Sequence, residues 1–224
     1  MVYKIVDNKY QVLIESLLVT LIIFIVGFSI GFFVEFYRTS KVVDSYKEFE
    51  IEALDLKLQN YYYQIMDRSS CEEAIKQNFA FADDIYNNGL ILEKYEEANQ
   101  VTNDIFIEKK RYVLLKTELW LNSILLKDKC NEPFDTIVYL YSGDPQNNLI
   151  LSQQKIISNT LKEIKEEKGN SVILLPIAGD LKLESVELQM RIFNVTYLPS
   201  ILINEELVLE GFHEAEEIKS YLRY

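Results

Sequence analysis

Residues 16–34, between Glu15 and Glu35, carry no charge and are nearly all apolar. At about 1.5 Å of rise per residue, a helix of that length covers the ~30 Å hydrocarbon layer of a bilayer. The run therefore predicts one transmembrane helix over 12–37, after a short tail over 1–11. A cleaved leader has a shorter apolar core and a small-residue exit. This stretch leaves through Phe33-Val34-Glu35-Phe36-Tyr37-Arg38, which marks an uncleaved anchor. The alternative is a buried core helix, which seldom runs this long without a charge. Lys4 and Lys9 precede the span and Arg38, Lys41 and Lys47 follow it, so the basic flanks leave its orientation nearly balanced. Gly27 and Gly31, four apart in the span, are the candidate contact for a homodimer.

Residues 38–132 read as an α-helical stalk and bundle. Ile51, Leu54, Leu58, Tyr61 and Ile65 alternate steps of three and four, a heptad-like seam expected to pack against the other helices of the module. Ser70 followed by Cys71, Glu72 and Glu73 is a capping-box start, so a helix should begin at Cys71. Its expected inner stripe is Ile75, Phe79, Ala82 and Tyr86, with a kink at Asn87-Asn88-Gly89 and a reversal near residues 98–103. From Asp104 a second long helix is apolar nearly all round, as the middle of a small bundle would be, and stops near Lys129-Cys130-Asn131-Glu132-Pro133. Cys71 and Cys130 are almost equidistant from the reversal and meet at one end of an antiparallel hairpin. A disulfide is the expected outcome, and two buried free thiols are the alternative. A bridge would place the soluble part outside the cytoplasm and the amino terminus inside.

Residues 133–224 change period. Apolar runs at 136–141, 172–177 and 198–203, with a short one at 207–211, are strands. Between them lie a helix ending near Gly169, a helix over about 185–193, and a closing helix through Leu222. Asp144 reads as the N-cap of the first of these helices, with Pro145 at its first position and Gln146 and Asn147 in the opening turn. The element order is βαβαββα.

That order resembles the thioredoxin family with its first strand and helix trimmed. Two details add to the likeness: Val195-Thr196-Tyr197-Leu198-Pro199-Ser200 is similar to the family's cis-proline loop, and Gly211 stands where the family has a glycine after the next strand. The resemblance implies an α/β thioredoxin-like fold in which Tyr197, Leu198 and Pro199 form a peptide-binding loop. Membrane-anchored relatives of archaeal type look similar along the whole chain and carry Cys-x-x-Cys shortly before a Gln such as Gln153 or Gln154. Here the thiols would fall among residues 144–151, which hold none, so Asp144, Pro145, Gln146 and Asn147 form a degenerate helix start and no catalytic residue is assigned. Thiol–disulfide exchange needs a thiolate attacking sulfur, which neither hydroxyl nor carboxamide supplies.

Other chemistry is thinly represented. A formal charge of −12 argues against a nucleic-acid partner. A single histidine, His213, excludes a multi-histidine metal centre, and no metal or cofactor is expected. Asn194-Val195-Thr196 is a glycosylation acceptor that matters only if the domain is external. The leading reading is a redox-inactive, membrane-anchored module that holds a peptide or protein partner outside the cytoplasm, as a chaperone or assembly factor would. The alternatives are an oxidoreductase or electron relay using Cys71 and Cys130, and a structural component of the cell envelope.

Overall fold

The computed structural model describes residues 9–65, 68–97, 103–131, 134–143 and 147–224. The reversal expected near 98–103 lies outside them except for its last residue, as do Asp144, Pro145 and Gln146. The chain forms two compact units, divided between Asp44 and Ser45.

Helix α1 (Lys9–Ile65) contributes to both. In the first unit, Val12–Tyr37 is long and apolar enough to cross a membrane. Its large apolar side chains are exposed, and no atom lies near a Cβ built on Gly27 or Gly31.

In the second unit, α2 (Cys71–Glu97) and α3 (Asn103–Lys129) pair, and a disulfide joins Cys71 to Cys130. Glu72 and Glu73 occupy the first turn of α2, where carboxylates favour the helix dipole. The helix continues through Asn87-Asn88-Gly89, where the sequence suggests a kink. Its buried face is Ala74, Asn78, Phe81 and Ile85 with Phe79, rotated by one residue from the stripe that apolar spacing suggests. The rotation follows from Asn78, which is fully buried because its Nδ2 donates to Ser123 Oγ on α3 at 3.0 Å. Tyr112 closes the same interface by donating to the Ile85 carbonyl at 2.7 Å.

The expected packing of the α1 seam into this bundle is not met at its four described side chains: Ile51, Leu54, Leu58 and Tyr61 are all more than half exposed. α3 buries its other faces against α2 and the sheet. Its remaining face presents Glu118, which Lys57 of α1 reaches at 3.6 Å, between the partly exposed Leu114 and Leu121.

The sheet holds β1 (Asp135–Tyr141), β2 (Val172–Ala178), β3 (Ser200–Ile203) and β4 (Leu207–Glu210) in the order β2-β1-β3-β4. β1 and β2 are parallel with Val138 opposite Leu175, while β3 runs antiparallel to both β1 and β4. The central strand β1 is buried along nearly its whole length, as its continuous apolar run requires. Its odd positions, Ile137 and Tyr139, pack with Ile157, Leu161 and Ile164 of α4 (Asn148–Lys168) and Ile218 of α6 (Ala215–Ser220). By strand alternation its even positions turn to the other face, where α3 and α5 (Glu184–Ile192) pack on each other.

Helix α4 starts later than its sequence suggests. The cap of the described helix is Asn147, whose Oδ1 accepts the Leu149 amide at 2.8 Å, while Asp144 and Pro145, expected to start it, lie outside the described residues. Both residue types favour a helix start, and the asparagine is preferred at this position as strongly as aspartate. Pro176 is tolerated in β2 because that strand is an edge, and Lys116 of α3 caps its carbonyl at 2.7 Å.

Candidate functional site

Parallel pairing brings the C-terminal ends of β1 and β2 together, and antiparallel pairing brings the start of β3 and the end of β4 to the same place. Four loops therefore converge beside the N-terminus of α4. They are Ser142-Gly143, Gly179-Asp180, Tyr197-Leu198-Pro199 and Gly211-Phe212.

Their backbone is held by side chains from three directions. Gln154 of α4, buried, accepts the Ser142 amide on Oε1 at 2.9 Å and donates from Nε2 to the Ser142 carbonyl at 3.1 Å. Asp180 accepts the Gly143 amide at 2.7 Å on one carboxylate oxygen and the Ser142 hydroxyl on the other. Lys109 of α3 donates to the Gly143 carbonyl at 2.8 Å. A Cβ at Gly143 would stand 2.9 Å from Leu181 Cδ2 and 3.1 Å from Asp180 Oδ1, so a side chain there would press on the groups that hold this loop.

The proline loop is pinned from below and open above. The Leu198–Pro199 bond is cis, Pro199 is buried, and its carbonyl accepts the Gly211 amide at 2.9 Å. Ser200 Oγ donates to the Tyr197 carbonyl at 2.7 Å. Gly211 has a φ of 76°, and a Cβ there would meet Gln153 Nε2 at 3.1 Å, which ties this corner to α4. Three large apolar side chains project from this end: Leu149 is 78% exposed, and Tyr197 and Phe212 are 45% exposed.

Burial pushes the Tyr139 phenol up, above the ordinary tyrosine range, and its hydroxyl donates to the Gln154 carbonyl at 3.1 Å. From about pH 10, the unfolded tyrosine value, the unfolded chain ionises while the folded chain keeps its proton. The unfolded state then binds fewer protons, so stability falls as pH rises. Tyr139→Phe is expected to flatten that alkaline decline while losing about 1 kcal/mol at neutral pH with the hydrogen bond. Urea midpoints of both proteins between pH 8 and 11 check this, and parallel curves would refute it.

The Ser142 hydroxyl donates its hydrogen bond to the Asp180 carboxylate. His213 sits 3.0 Å from Glu217 and 3.2 Å from the Glu210 carbonyl. Both cysteines are spent on the disulfide. Among the described residues no group of His, Cys, Asp or Glu is placed to hold a metal ion. Tyr197, Leu198, Pro199 and Asn147 are brought to this end of the sheet, whereas Cys71 and Cys130 are not. Lys109 marks the site end of α3 and Lys127, near Cys130, touches Thr136 at the start of β1. Their separation of eighteen residues corresponds to about 27 Å of helix. Sequence reading missed Lys109 and Asp180; the signal was Lys109 and Lys116, seven apart on one face of a largely apolar helix.

No protein-family model, curated protein or solved structure matches this chain.

Proposed function

We propose that this protein is a membrane-anchored, redox-inactive thioredoxin-like module that holds an extended segment of a partner polypeptide beside Tyr197, Leu198 and Pro199, outside the cytoplasm. The observation that carries the reading is the contrast at the converged loops. Gln154, Asp180 and Lys109 fix the Ser142–Gly143 backbone and Gly211 and Ser200 fix the proline corner, while Leu149, Tyr197 and Phe212 are exposed beside them. A fixed backbone edge with apolar side chains beside it suits an extended peptide, since main-chain bonds supply affinity and side-chain contacts supply selectivity. The element order from β1 to α6 supports the thioredoxin-like assignment. The Cys71–Cys130 bridge supports the external address, because bridged pairs persist in oxidising compartments. The Val12–Tyr37 segment supports the anchor.

An oxidoreductase exchanging disulfides with a peptide held at these loops would need the bridge beside them, and the Cys71–Cys130 bridge lies at the other end of α3.

The test uses the full chain in detergent and, as probe, a fluorescent unfolded polypeptide whose cysteines have been carboxymethylated, so that no thiol chemistry contributes. Tyr197→Glu, which puts a charge on an exposed position, is expected to weaken binding by about tenfold or more, the loss of one interfacial aromatic anchor. Unchanged binding by Tyr197→Glu and Phe212→Glu alike would remove the proposal.

A further inference from the structure

The single Asn-x-Thr tripeptide of the chain, Asn194-Val195-Thr196, takes no part in the framework described above. It follows the end of α5 in a tight reversal. Asn194 has a left-handed φ of 55°, and the Val195 amide donates to the Met190 carbonyl at 2.8 Å. Val195 is buried and pins the tripeptide, whereas Asn194 and Thr196 on either side are exposed. The Thr196 hydroxyl lies 3.4 Å from Glu210, and among the described residues the Asn194 carboxamide has no partner. Acceptor asparagine and hydroxyl residue are therefore both open to an enzyme on an already folded domain.

A second observation lies beside it. Leu188 and Ile192, one turn apart on the outer side of α5, are 52% and 60% exposed, and Ile192 is two residues from Asn194. An apolar pair in that position gains from a bulky, solubilising neighbour.

We infer that Asn194 is an N-glycosylation site whose glycan shields the outer face of α5. The donor class is an oligosaccharide joined to a lipid through pyrophosphate. Asn194 Nδ2 forms a bond to the anomeric carbon as the bond from that carbon to the phosphate oxygen breaks. The lipid pyrophosphate leaves with the electron pair, and one amide proton passes to the transferase. The inference rests on the external placement of the second unit.

The test is intact-mass spectrometry of the full chain purified from its native membranes, with peptide mapping. A sugar-containing mass increment on Asn194 is expected, abolished by Asn194→Gln and by Thr196→Ala and retained by Thr196→Ser. A membrane-impermeant protease applied to sealed cells separates the two ways to fail. An unmodified chain that is shaved from outside overturns the glycan and leaves the placement standing. An unmodified chain that is protected overturns both.

Discussion

Lys127→Met is expected to destabilise the folded chain by about 3–5 kcal/mol, the cost of breaking a buried ion pair by removing one partner. Lys127 is almost fully buried where α3 meets the start of β1 and the turn between β3 and β4. Its amine donates to Asn204 Oδ1 at 2.7 Å, Glu205 Oε2 at 2.9 Å and Thr136 Oγ1 at 3.1 Å. Glu205 in turn accepts from Trp120 Nε1 at 2.9 Å and Thr136 Oγ1 at 2.7 Å. Asn204 extends the network to Asp135, which accepts the backbone amides of Arg223 and Tyr224. Methionine keeps the apolar stem of the lysine and deletes only the charge, so the loss reports on a carboxylate left without its cation. The turn itself depends on this carboxylate. Asn204 and Glu205 have φ values of 52° and 60°, a conformation asparagine tolerates and glutamate adopts only where its surroundings hold it. Adding Glu205→Gln to Lys127→Met is expected to recover about 1–3 kcal/mol, the coupling of two residues in one network. Guanidinium unfolding followed by Trp120, the only tryptophan, reads both effects. A loss below about 1 kcal/mol in the single variant would mean that the pair is solvated and contributes as surface pairs do.

The same network marks what the sequence could not tell. The strands were legible because β1 and β2 are continuous apolar runs, and the end of α4 was legible because Gly169 follows Lys168 with a positive φ. The meeting of Cys71 and Cys130 was legible from their equal distance to one reversal. Patterning reads apolar burial, however, and much of the burial here is polar. Asn78 rotates the inner face of α2 through a bond to Ser123, forty-five residues away, and Lys127 finds Glu205 seventy-eight residues away. A lysine in a helix reads as solvated until its partner is known. The α1 seam misled for the opposite reason: its spacing says that Ile51, Leu54, Leu58 and Tyr61 share a face, and nothing in spacing says what covers it. Of the candidate site, the proline loop could be read from a short motif. Its supports, Lys109 and Asp180, are isolated charges that acquire a role only when the strand ends converge.

Removing the disulfide with Cys71→Ser and Cys130→Ser together is expected to cost about 4 kcal/mol, the chain-entropy value for a loop of this size, since the two cysteines are 59 residues apart. For a chain of this length that corresponds to a fall in Tm of roughly 8–16 °C. The double variant is the informative one, because a single serine leaves a free thiol open to mixed disulfides. Its larger use is in separating two functions. The bridge closes the far end of the α2–α3 hairpin, while Lys109, at the other end of α3, is what touches the site. Loss of the bridge therefore loosens the end near Lys127 first and leaves Gln154 and Asp180, neither of them on α2 or α3, holding Ser142 and Gly143. Below the lowered Tm, the double variant is expected to bind the carboxymethylated polypeptide as the native chain does. Binding that disappears while the far-ultraviolet spectrum stays native would mean that the bridge is needed to shape the holding loops, and would overturn the separation of scaffold from recognition. Binding that persists, joined to a Tm that falls by the stated amount, would assign the two cysteines to the scaffold and leave recognition to the loops at the strand ends.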